Sequence, residues 1–479
     1  MRTISRRDAL LGVPALAYSL TALPKTASSS STKSVGAVEI SQLKERFAGQ
    51  LIEPNDAAYD KLRRTDNLAF DHRPLLVARC ANDGDAARAL DFARTRGLPV
   101  AVRGGGHCQA GRSSCDDGVV IDLSMMHEVT VDPSRGIVTC GPGARVWEVN
   151  EALEPYGLAL ALGTCGDVGI SGLTLGGGLG YLLGVSGAAC DSLIAADVVL
   201  ADGRRETVTK STDPELLWAL RGAGANFGIV TRFEFKARRQ GRVLAGTLTF
   251  TGSAARDVLA LNNTLSAKLP DELAVITTVA LPPKGEPHVS MHVCWSGDPK
   301  NGRAAIERLI SGVVHPSNAS LKETSLSEFI GRGESGSGLT CARYGVTTRP
   351  LSEEALNELL EYGSPPPAIY VIFFDPVHGA FTRVRSEATA LPRVSSGAGV
   401  GFLLAWESPG QTAAVRDWAD RRWSRLAPQI TGAYVNMLDD EGEGRVRAAY
   451  GTNYAKLRRL KSKYDPENTF RSNQNIRPG

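Results

Sequence analysis

Hydrophobic and polar residues alternate in blocks of strand and helix length from about residue 73 onward. PLLVARC and LPVAVR are short runs rich in Val, Leu and Ala, and they predict two buried strands. Between them, NDGDAARALDFARTRG carries apolar residues such as Leu90 and Ala93 on one face, as an amphipathic helix does. We expect this helix to be capped by Asn82 or Asp83 and to end at Gly97.

The same alternation continues to about residue 239. GVVIDLS and GIVTCGPG predict further strands, and ARVWEVNEALEPYG predicts a helix that ends at Gly157. AADVVLADGRRETVTK predicts a hairpin that turns at Asp202 and Gly203. TDPELLWALRG predicts a helix with Asp213 as its N-cap and Pro214 in its first turn, and GIVTRFEFKA predicts a closing strand. These elements indicate one α+β unit.

The pattern changes after KARRQG. Residues 240–430 combine alternating strands such as VLAGTLTFTG, PHVSMHVCW and AIYVIFFDP with amphipathic helices such as TAAVRDWADRRWSRL. They predict a second α+β domain, and residues 431–479 form a final segment. The fold class expected for the whole chain is therefore α+β.

The first 35 residues have the layout of an export signal. A basic start is followed by a modest apolar run and then by small polar residues. Arg6 and Arg7, in SRRDAL, resemble a twin-arginine signal, and Pro14 interrupts the apolar run. We expect residues 1–35 to be a twin-arginine export signal and linker, so that the protein is periplasmic or secreted. The alternative is a disordered tail that happens to contain two arginines.

Composition removes several classes of partner and site. The 479 residues are 42% hydrophobic and 22% charged, as in an ordinary soluble protein. The net charge of +3 gives no reason to expect nucleic acid or a membrane as a partner. The eight cysteines show no CxxC and no zinc-ligand spacing, so no metal site is expected.

Many of the 51 glycines lie in three clusters, at 104–118, 163–187 and 222–228. Glycine lets a ligand approach the main chain, and the N–H groups of such loops can bind phosphates. Neither GxGxxG between a strand and a helix nor a P-loop occurs, which argues against both of those nucleotide folds. From the residues alone, a dinucleotide or other phosphate ligand and simple tight turns remain as alternatives.

Four motifs, in order along the chain, resemble the berberine bridge enzyme-like family of FAD-linked oxidases, which have the vanillyl-alcohol oxidase fold. They are RGGGHCQAG…GVVIDLS, GTCGDVGISGLTLGGGLGYLLG, NFGIVTRFEF and YGTNYAKLRRLKSKYDPENTF. The resemblance implies a PCMH-type FAD-binding domain of two α/β subdomains at 69–239. It also implies a substrate domain at 240–430, with an antiparallel sheet covered by helices. Residues 431–479 would return to the FAD domain.

The resemblance also implies how the flavin is held. The histidine of RGGGH, His107, would bond to the flavin 8α methyl group, and Arg103, Gly104, Gly105 and Gly106 would cradle the pyrophosphate. Cys165 would form a second bond, to flavin C6. Val168 matches the position that controls oxygen entry in the family, and GAGANFG at 222–228 departs from the usual GGGGNFG. The other implied flavin-lining residues are Gly111, Gly169, Gly172, Gly176, Gly228, Ile229 and Val230.

For the catalytic base, the resemblance implies Tyr434, with Asn436 beside it. A tyrosine with its ordinary pKa near 10 is a poor base at neutral pH and needs tuning by its surroundings. Asp375, at the end of the strand FFDP, is a second candidate, either as the base or as the partner of Tyr434. Weaker candidates are Tyr344 and Tyr370, which could face the flavin. Trp295 and Trp406 are expected to pack in the core, with stacking on a sugar or ring as the alternative.

The sequence therefore predicts an FAD-dependent oxidase with covalently bound flavin. It would transfer hydride from an alcohol or hemiacetal carbon, on a carbohydrate or secondary-metabolite hydroxyl, to the flavin and then to O2, giving hydrogen peroxide. The expected substrate is a small molecule or an oligosaccharide. One alternative is a hydroxynicotine-oxidase-like enzyme that oxidises a C–N bond and holds its flavin through histidine alone. Another is a flavin-bearing binding protein with little turnover.

Overall fold

The structure is a computed structural model that describes residues 37–311, 315–333, 338–361 and 368–479. The segment for which an export signal is predicted, 1–35, lies outside these residues. Within the described ranges, no helix combines the length and the apolar character needed to cross a membrane.

The strands are β1 (Gln50–Ile52), β2 (Leu76–Arg79), β3 (Val100–Arg103), β4 (Val119–Asp122), β5 (Val129–Asp132), β6 (Ile137–Cys140), β7 (Leu158–Ala159), β8 (Leu193–Val199), β9 (Arg205–Thr209), β10 (Ile229–Lys236), β11 (Arg238–Arg239), β12 (Val243–Phe250), β13 (Leu273–Leu281), β14 (His288–Trp295), β15 (Asn318–Ala319), β16 (Lys322–Thr324), β17 (Leu339–Thr347), β18 (Ile369–Val377) and β19 (Gly397–Trp406).

The α-helices are α1 (Ala37–Lys44), α2 (Tyr59–Arg63), α3 (Asp83–Thr95), α4 (Val146–Leu153), α5 (Ile170–Leu175), α6 (Leu183–Ser186), α7 (Pro214–Ala223), α8 (Ala255–Asn262), α9 (Pro299–Ile310), α10 (Leu326–Ile330), α11 (Glu353–Leu360), α12 (Ala380–Arg383), α13 (Thr412–Leu426), α14 (Glu443–Tyr450) and α15 (Tyr454–Tyr464).

The first sheet has four strands in the order β1-β2-β4-β3. Strands β2, β4 and β3 are parallel, and β1 joins the edge antiparallel to β2. Helix α3 buries Leu90 and Ala93 in the core on this sheet, as its apolar face predicts. Its N-cap is Asn82, whose side chain accepts a hydrogen bond from the Asp85 N–H at 2.9 Å.

The second sheet is antiparallel, with five strands in the order β5-β6-β10-β8-β9. The predicted hairpin is its β8–β9 pair, and Gly203 in the turn has φ +88°. The predicted cap of α7 is also confirmed, since Asp213 accepts from the Leu216 N–H at 2.9 Å. The core of this sheet includes Tyr450, Leu457 and other residues of the C-terminal segment, so the end of the chain packs on this unit.

The third sheet has eight antiparallel strands in the order β15-β12-β14-β13-β18-β19-β17, with β16 pairing beside β15 on β12. Alternate residues of its strands pack under α8, α11 and α13, and this face is the second large core. The opposite face turns toward the first two sheets. The α+β fold with an antiparallel, helix-covered sheet is thus confirmed.

Candidate active site

A large cavity of about 1550 Å³ lies between the first two sheets and the uncovered face of the eight-stranded sheet. Pockets for one small molecule hold about 300–1,000 Å³, so this volume leaves room for a dinucleotide and a substrate together. Its wall contains most of the residues predicted from the sequence: Gly104, Gly105, Gly106, His107, Cys165, Val168, Gly169, Gly172, Gly176, Gly228, Val230, Asp375 and Tyr434.

Two glycine-rich loops of this wall touch each other through their backbones. A Cβ at Gly105 would collide with Gly169, and a Cβ at Gly169 would collide with Gly105. A Cβ at Gly104 would likewise collide with the Ser171 hydroxyl. These glycines are therefore needed for the approach of one loop to the other, which explains two of the clusters in the sequence.

Two further glycines leave open space on the cavity wall. A Cβ at Gly106 or Gly172 would have no atom within 4 Å. Gly106 also has φ +80°, a conformation that other residues rarely adopt. Main chain without side chains at the edge of a large cavity is the kind of surface on which a phosphate-bearing ligand lies, and it fits FAD.

His107 sits at the end of this loop with charged groups on both sides of its ring. Its Nδ1 is 3.2 Å from Asp66 Oδ2, and its Nε2 is 3.4 Å from Asp167 Oδ2. The guanidinium of Arg145 approaches Nε2 at 3.1 Å. Sequence reasoning did not identify Asp66, Asp167 or Arg145, because none belongs to a local motif with His107. The carboxylates can orient the ring and accept a proton from it.

Cys165 lies on the same wall and is half-buried. Its neighbour Gly166 packs so closely on the carbonyl of Gly331 that a Cβ would not fit. The segment at Gly331 and Gly333 thus covers the Cys165 loop, and Cys165 lines the cavity beside it.

Tyr434 is buried and lines the cavity. Its hydroxyl oxygen accepts hydrogen bonds from the Gly178 N–H at 2.8 Å and from Asn436 Nδ2 at 3.1 Å. Burial raises the pKa of Tyr434 to about 12, although both donors act in the opposite direction. Tyr434 is therefore protonated at neutral pH in this environment, and its O–H is a donor.

Asp375 is paired with Tyr344 and not with Tyr434. The Tyr344 hydroxyl donates to Asp375 Oδ2 at 3.1 Å, and Asp375 Oδ1 has no hydrogen-bond partner among the described residues. Burial raises the pKa of Asp375 to about 7, and the Tyr344 hydrogen bond opposes this rise. The expectation that Asp375 partners Tyr434 is corrected by this geometry. The pairing with Tyr344 had no signal in the sequence.

Three residues expected to bind the flavin do not line the cavity. Arg103 is buried, and its guanidinium donates to the carbonyls of Leu62, of Arg63 at 3.0 Å and of Ser113 at 3.2 Å. Arg103 thus stabilises the start of the glycine-rich loop by hydrogen bonds to neighbouring main chain and does not contact the cavity. Gly111 has φ +66°, and a Cβ there would collide with the Phe70 ring. Ile229 is fully buried in the core, because its neighbour Val230 takes the cavity side of strand β10.

Of the four weaker aromatic candidates, one lies on the cavity wall and three lie in the core. Tyr344 lines the cavity, whereas Tyr370, Trp295 and Trp406 lie in the core on the helix-covered face of the large sheet. The indole N–H of Trp295 donates to the Asp298 carbonyl, and that of Trp406 donates to Thr412. Both tryptophans thus pack in the core and do not line the cavity.

Comparison with known proteins gives consistent matches over nearly the whole chain. Two family models match, an FAD binding domain at residues 74–209 and a berberine and berberine-like segment at residues 433–477. The FAD-linked oxidoreductase YgaK of Bacillus subtilis is 31% identical over 445 residues, covering 91% of this chain and 98% of the relative.

Solved structures have the same fold. 6-Hydroxy-D-nicotine oxidase from Arthrobacter nicotinovorans matches with a TM-score of 0.80 and 25% identity, over 90% of this chain and 98% of that one. The carbohydrate oxidase from Microdochium nivale matches with a TM-score of 0.79 and 22% identity, over 92% of this chain and 100% of that one.

The FAD-binding family model and the FAD-linked relative, together with a glycine-lined cavity that fits FAD, identify the protein as a flavin-dependent oxidoreductase. The chain belongs to the FAD-linked oxidoreductases of the berberine bridge enzyme-like family, and it is an FAD-dependent enzyme.

Proposed function

We propose that the protein oxidises an alcohol or hemiacetal carbon of a hydroxylated substrate, with O2 as the electron acceptor and hydrogen peroxide as the product. The observation that carries this proposal is Asp375. Its carboxyl group lines the cavity that fits FAD, and its Oδ1 has no hydrogen-bond partner among the residues that the structure describes. Its pKa of about 7 suits a general base at neutral pH.

The chain's own groups handle the proton. Asp375 takes the proton from the substrate hydroxyl, and Tyr344 stabilises its carboxylate through the hydrogen bond at 3.1 Å. Tyr434, whose oxygen already accepts two N–H donors, directs its own O–H to the substrate oxygen. FAD, which the glycine-rich loops and His107 would hold, would supply the hydride acceptor for the same carbon and the route for two electrons to O2. The substrate thereby loses two electrons and two protons, which together reduce O2 to hydrogen peroxide.

Single-turnover kinetics test this assignment. Asp375→Asn is expected to slow flavin reduction by about 10²–10⁴-fold, the usual contribution of a general base. Tyr434→Phe keeps the base and is expected to cost about tenfold, as for one lost hydrogen bond. If Asp375→Asn reduces flavin at the wild-type rate while Tyr434→Phe abolishes reduction, Tyr434 is the base. A panel of sugars, alcohols and amines that reduces no flavin would favour a binding protein with little turnover.

We place the covalent flavin bonds at His107 and Cys165. Both residues lie on the cavity wall, and the carboxylates of Asp66 and Asp167 flank the His107 ring at 3.2 and 3.4 Å. A peptide mass map of the denatured yellow protein tests both bonds. We expect one flavin to join the His107 peptide to the Cys165 peptide, and flavin on neither peptide would refute the placement.

Oxidation of a C–N bond is the second candidate. It is supported by the similarity, at 25% identity over 90% of this chain, to 6-hydroxy-D-nicotine oxidase. A mass map with flavin on His107 alone, together with reduction by amines and not by alcohols, would favour this reaction.

A further inference from the structure

The His107 ring carries its proton on the nitrogen that faces Asp66. The Arg145 guanidinium approaches Nε2 at 3.1 Å, and a guanidinium can only donate hydrogen bonds, so Nε2 accepts with its lone pair. A neutral imidazole then has its single N–H at Nδ1, which is 3.2 Å from Asp66 Oδ2. The Oδ2 atom of Asp167 is 3.4 Å from Nε2 and has no hydrogen-bond partner among the described residues, as expected beside a nitrogen without a proton. The two carboxylates therefore face chemically different sides of the ring.

Hydrogen bonds fix Asp66 beside the glycine-rich loop. Its N–H donates to the carbonyl of Gly106, the residue directly before His107, at 3.1 Å. The next residue, Asn67, donates from its side chain to the Gln109 carbonyl at 2.6 Å, two residues after His107. The chain at Asp66 is thus tied to the loop on both sides of the histidine. Its side chain is only 14% exposed, so little water competes for the Nδ1 proton.

A bond from Nε2 to a carbon atom would require the loss of the Nδ1 proton. A ring that is bonded at Nε2 and protonated at Nδ1 is a cation, and the Arg145 guanidinium beside it opposes a second positive charge. Asp66 already lies at this proton and can accept it. Asp167 is less suited, because it faces the nitrogen without a proton and its Oδ1 lies 3.4 Å from the Arg145 guanidinium.

We propose that Asp66 is the base for flavin attachment, which takes the Nδ1 proton of His107 as Nε2 of the same ring bonds to the 8α methyl carbon of FAD. This inference rests on the covalent bond that is proposed at His107, and it names the residue that drives the formation of this bond. It is independent of the substrate and of proton transfer at Asp375.

The step balances with O2 as the oxidant. One N–C bond forms, while one C–H bond of the 8α methyl group and the Nδ1–H bond of His107 break. The two electrons of the C–H bond pass to the flavin, and O2, the acceptor in the proposed oxidation, removes them. The proton from the carbon and the proton held by Asp66 complete hydrogen peroxide. Each attachment therefore uses one O2, or leaves the attached flavin reduced when O2 is absent.

The rate of flavin attachment to the full-length chain tests the proposal. All proteins carry Cys165→Ala, so that the denatured chain keeps flavin only through His107. They are produced in riboflavin-starved cells and then mixed with FAD. Fluorescence of the denatured chain on a gel measures covalent flavin over time, and quenching of FAD fluorescence measures binding before attachment. We expect Asp66→Asn to slow attachment by about 10²–10⁴-fold, the usual contribution of a general base, and to leave the dissociation constant of FAD unchanged.

Three further readouts distinguish a base from a residue that only supports the loop. Asp66→Glu keeps a carboxylate and should restore part of the attachment rate. In Asp66→Asn the proton has to leave to hydroxide, so attachment should accelerate with pH more steeply than in the protein that retains Asp66. Without O2, the visible absorbance of the flavin should be lost in proportion to the covalent bonds formed.

Asp167→Asn is the matched comparison, because it changes the other carboxylate at the same ring, and it should slow attachment less than about tenfold. Asp116→Asn, in a surface pair with His72, should have no effect. The proposal is overturned if Asp66→Asn attaches flavin at the unchanged rate, or if Asp167→Asn is the slower variant. It is also overturned if Asp66→Glu and Asp66→Asn attach equally slowly with the same pH dependence, or if flavin attached without O2 stays oxidised.

The same experiment distinguishes this inference from the proposed function. If the protein that retains Asp66 never keeps flavin after denaturation, both the bond at His107 and the role of Asp66 are refuted. If flavin attaches through Asp66 but no substrate reduces it, the inference stands and the proposed oxidation is refuted.

Discussion

Tyr344 reaches Asp375 only because two residues of the strand between them are glycine. Tyr344 is on β17 and Asp375 is on β18, and β19 separates them in the sheet. The Tyr344 ring lies over β19 at Gly401 and Gly399, where a Cβ at 399 would collide with its hydroxyl. Tyr344 and Asp375 are 31 residues apart, and their contact depends on glycines of a third strand. Such a contact produces no local sequence pattern. It could not be predicted from the sequence, although Asp375 itself was.

Replacing Gly399 with alanine tests this arrangement. The added methyl group displaces the Tyr344 hydroxyl, so the Asp375 carboxylate loses its donor. Since that hydrogen bond lowers the pKa of Asp375, its loss raises the pKa above about 7. The carboxylate is the active form, so the acidic limb of the kcat/KM profile should move to higher pH, by about one unit. The measurement is kcat/KM for flavin reduction across pH 5–9.

Two further variants separate the hydrogen bond from backbone effects. Tyr344→Phe should produce the same shift without a change at residue 399. Gly410→Ala, at a site whose Cβ would contact only Ser408 at 3.8 Å, should leave the profile unchanged. An unshifted acidic limb in both Gly399→Ala and Tyr344→Phe would contradict the role given to Tyr344.

Single helices and strands were predictable because their signals are local. The cap of α7 by Asp213, the hairpin at Gly203 and the apolar face of α3 are each confirmed within a few residues. The cross-strand relations were not predictable. Gly105 and Gly169 lie in loops 64 residues apart. Only the structure shows that each must be a glycine because a side chain on either would collide with the other.

A substitution at Gly172, on helix α5, tests whether FAD lies on the main chain that is left open at this glycine. Gly172→Val adds a side chain into empty cavity space, so the apoprotein should fold as the wild type does. The same side chain should occupy the surface that fits FAD and lower the flavin-to-protein absorbance ratio at least severalfold. Gly444→Val on α14 is the matched control, because that helical glycine also has no atom within 4 Å of a Cβ. Equal flavin content in both variants would argue against a cradle at Gly172.

For the whole molecule, the twin-arginine prediction concerns the cellular compartment in which the protein acts. We propose export, because Arg6 and Arg7 precede an apolar run and a small polar linker. Arg6→Lys with Arg7→Lys should retain the protein in the cell with its flavin bound. Cell fractionation and immunoblotting measure this, and a conservative Lys44→Arg change beyond the signal is the control. Undiminished export of the double variant would refute the prediction.

A buried ion pair joins the C-terminal segment to the turn that precedes strand β10. Lys461 is fully buried, and its ammonium donates to Asp465 at 2.6 Å and to the carbonyls of Asn226 and Phe470 at 2.8 and 2.9 Å. Asn226 ends the short turn before Gly228 on the cavity wall, so the pair joins the end of the chain to the flavin site.

Lys461→Met leaves the Asp465 carboxylate buried without its counter-charge, which typically costs about 3–5 kcal/mol of unfolding free energy. We expect a lower urea midpoint and reduced flavin content, since the turn at Asn226 also loses its anchor. Lys463→Met, on the same helix α15, removes an exposed pair with Glu215 and a contact of the ammonium with the Tyr464 ring, and should cost about 1 kcal/mol. If the two variants unfold at the same urea concentration, the C-terminal segment is held by its apolar contacts, and the buried pair is not what fastens it.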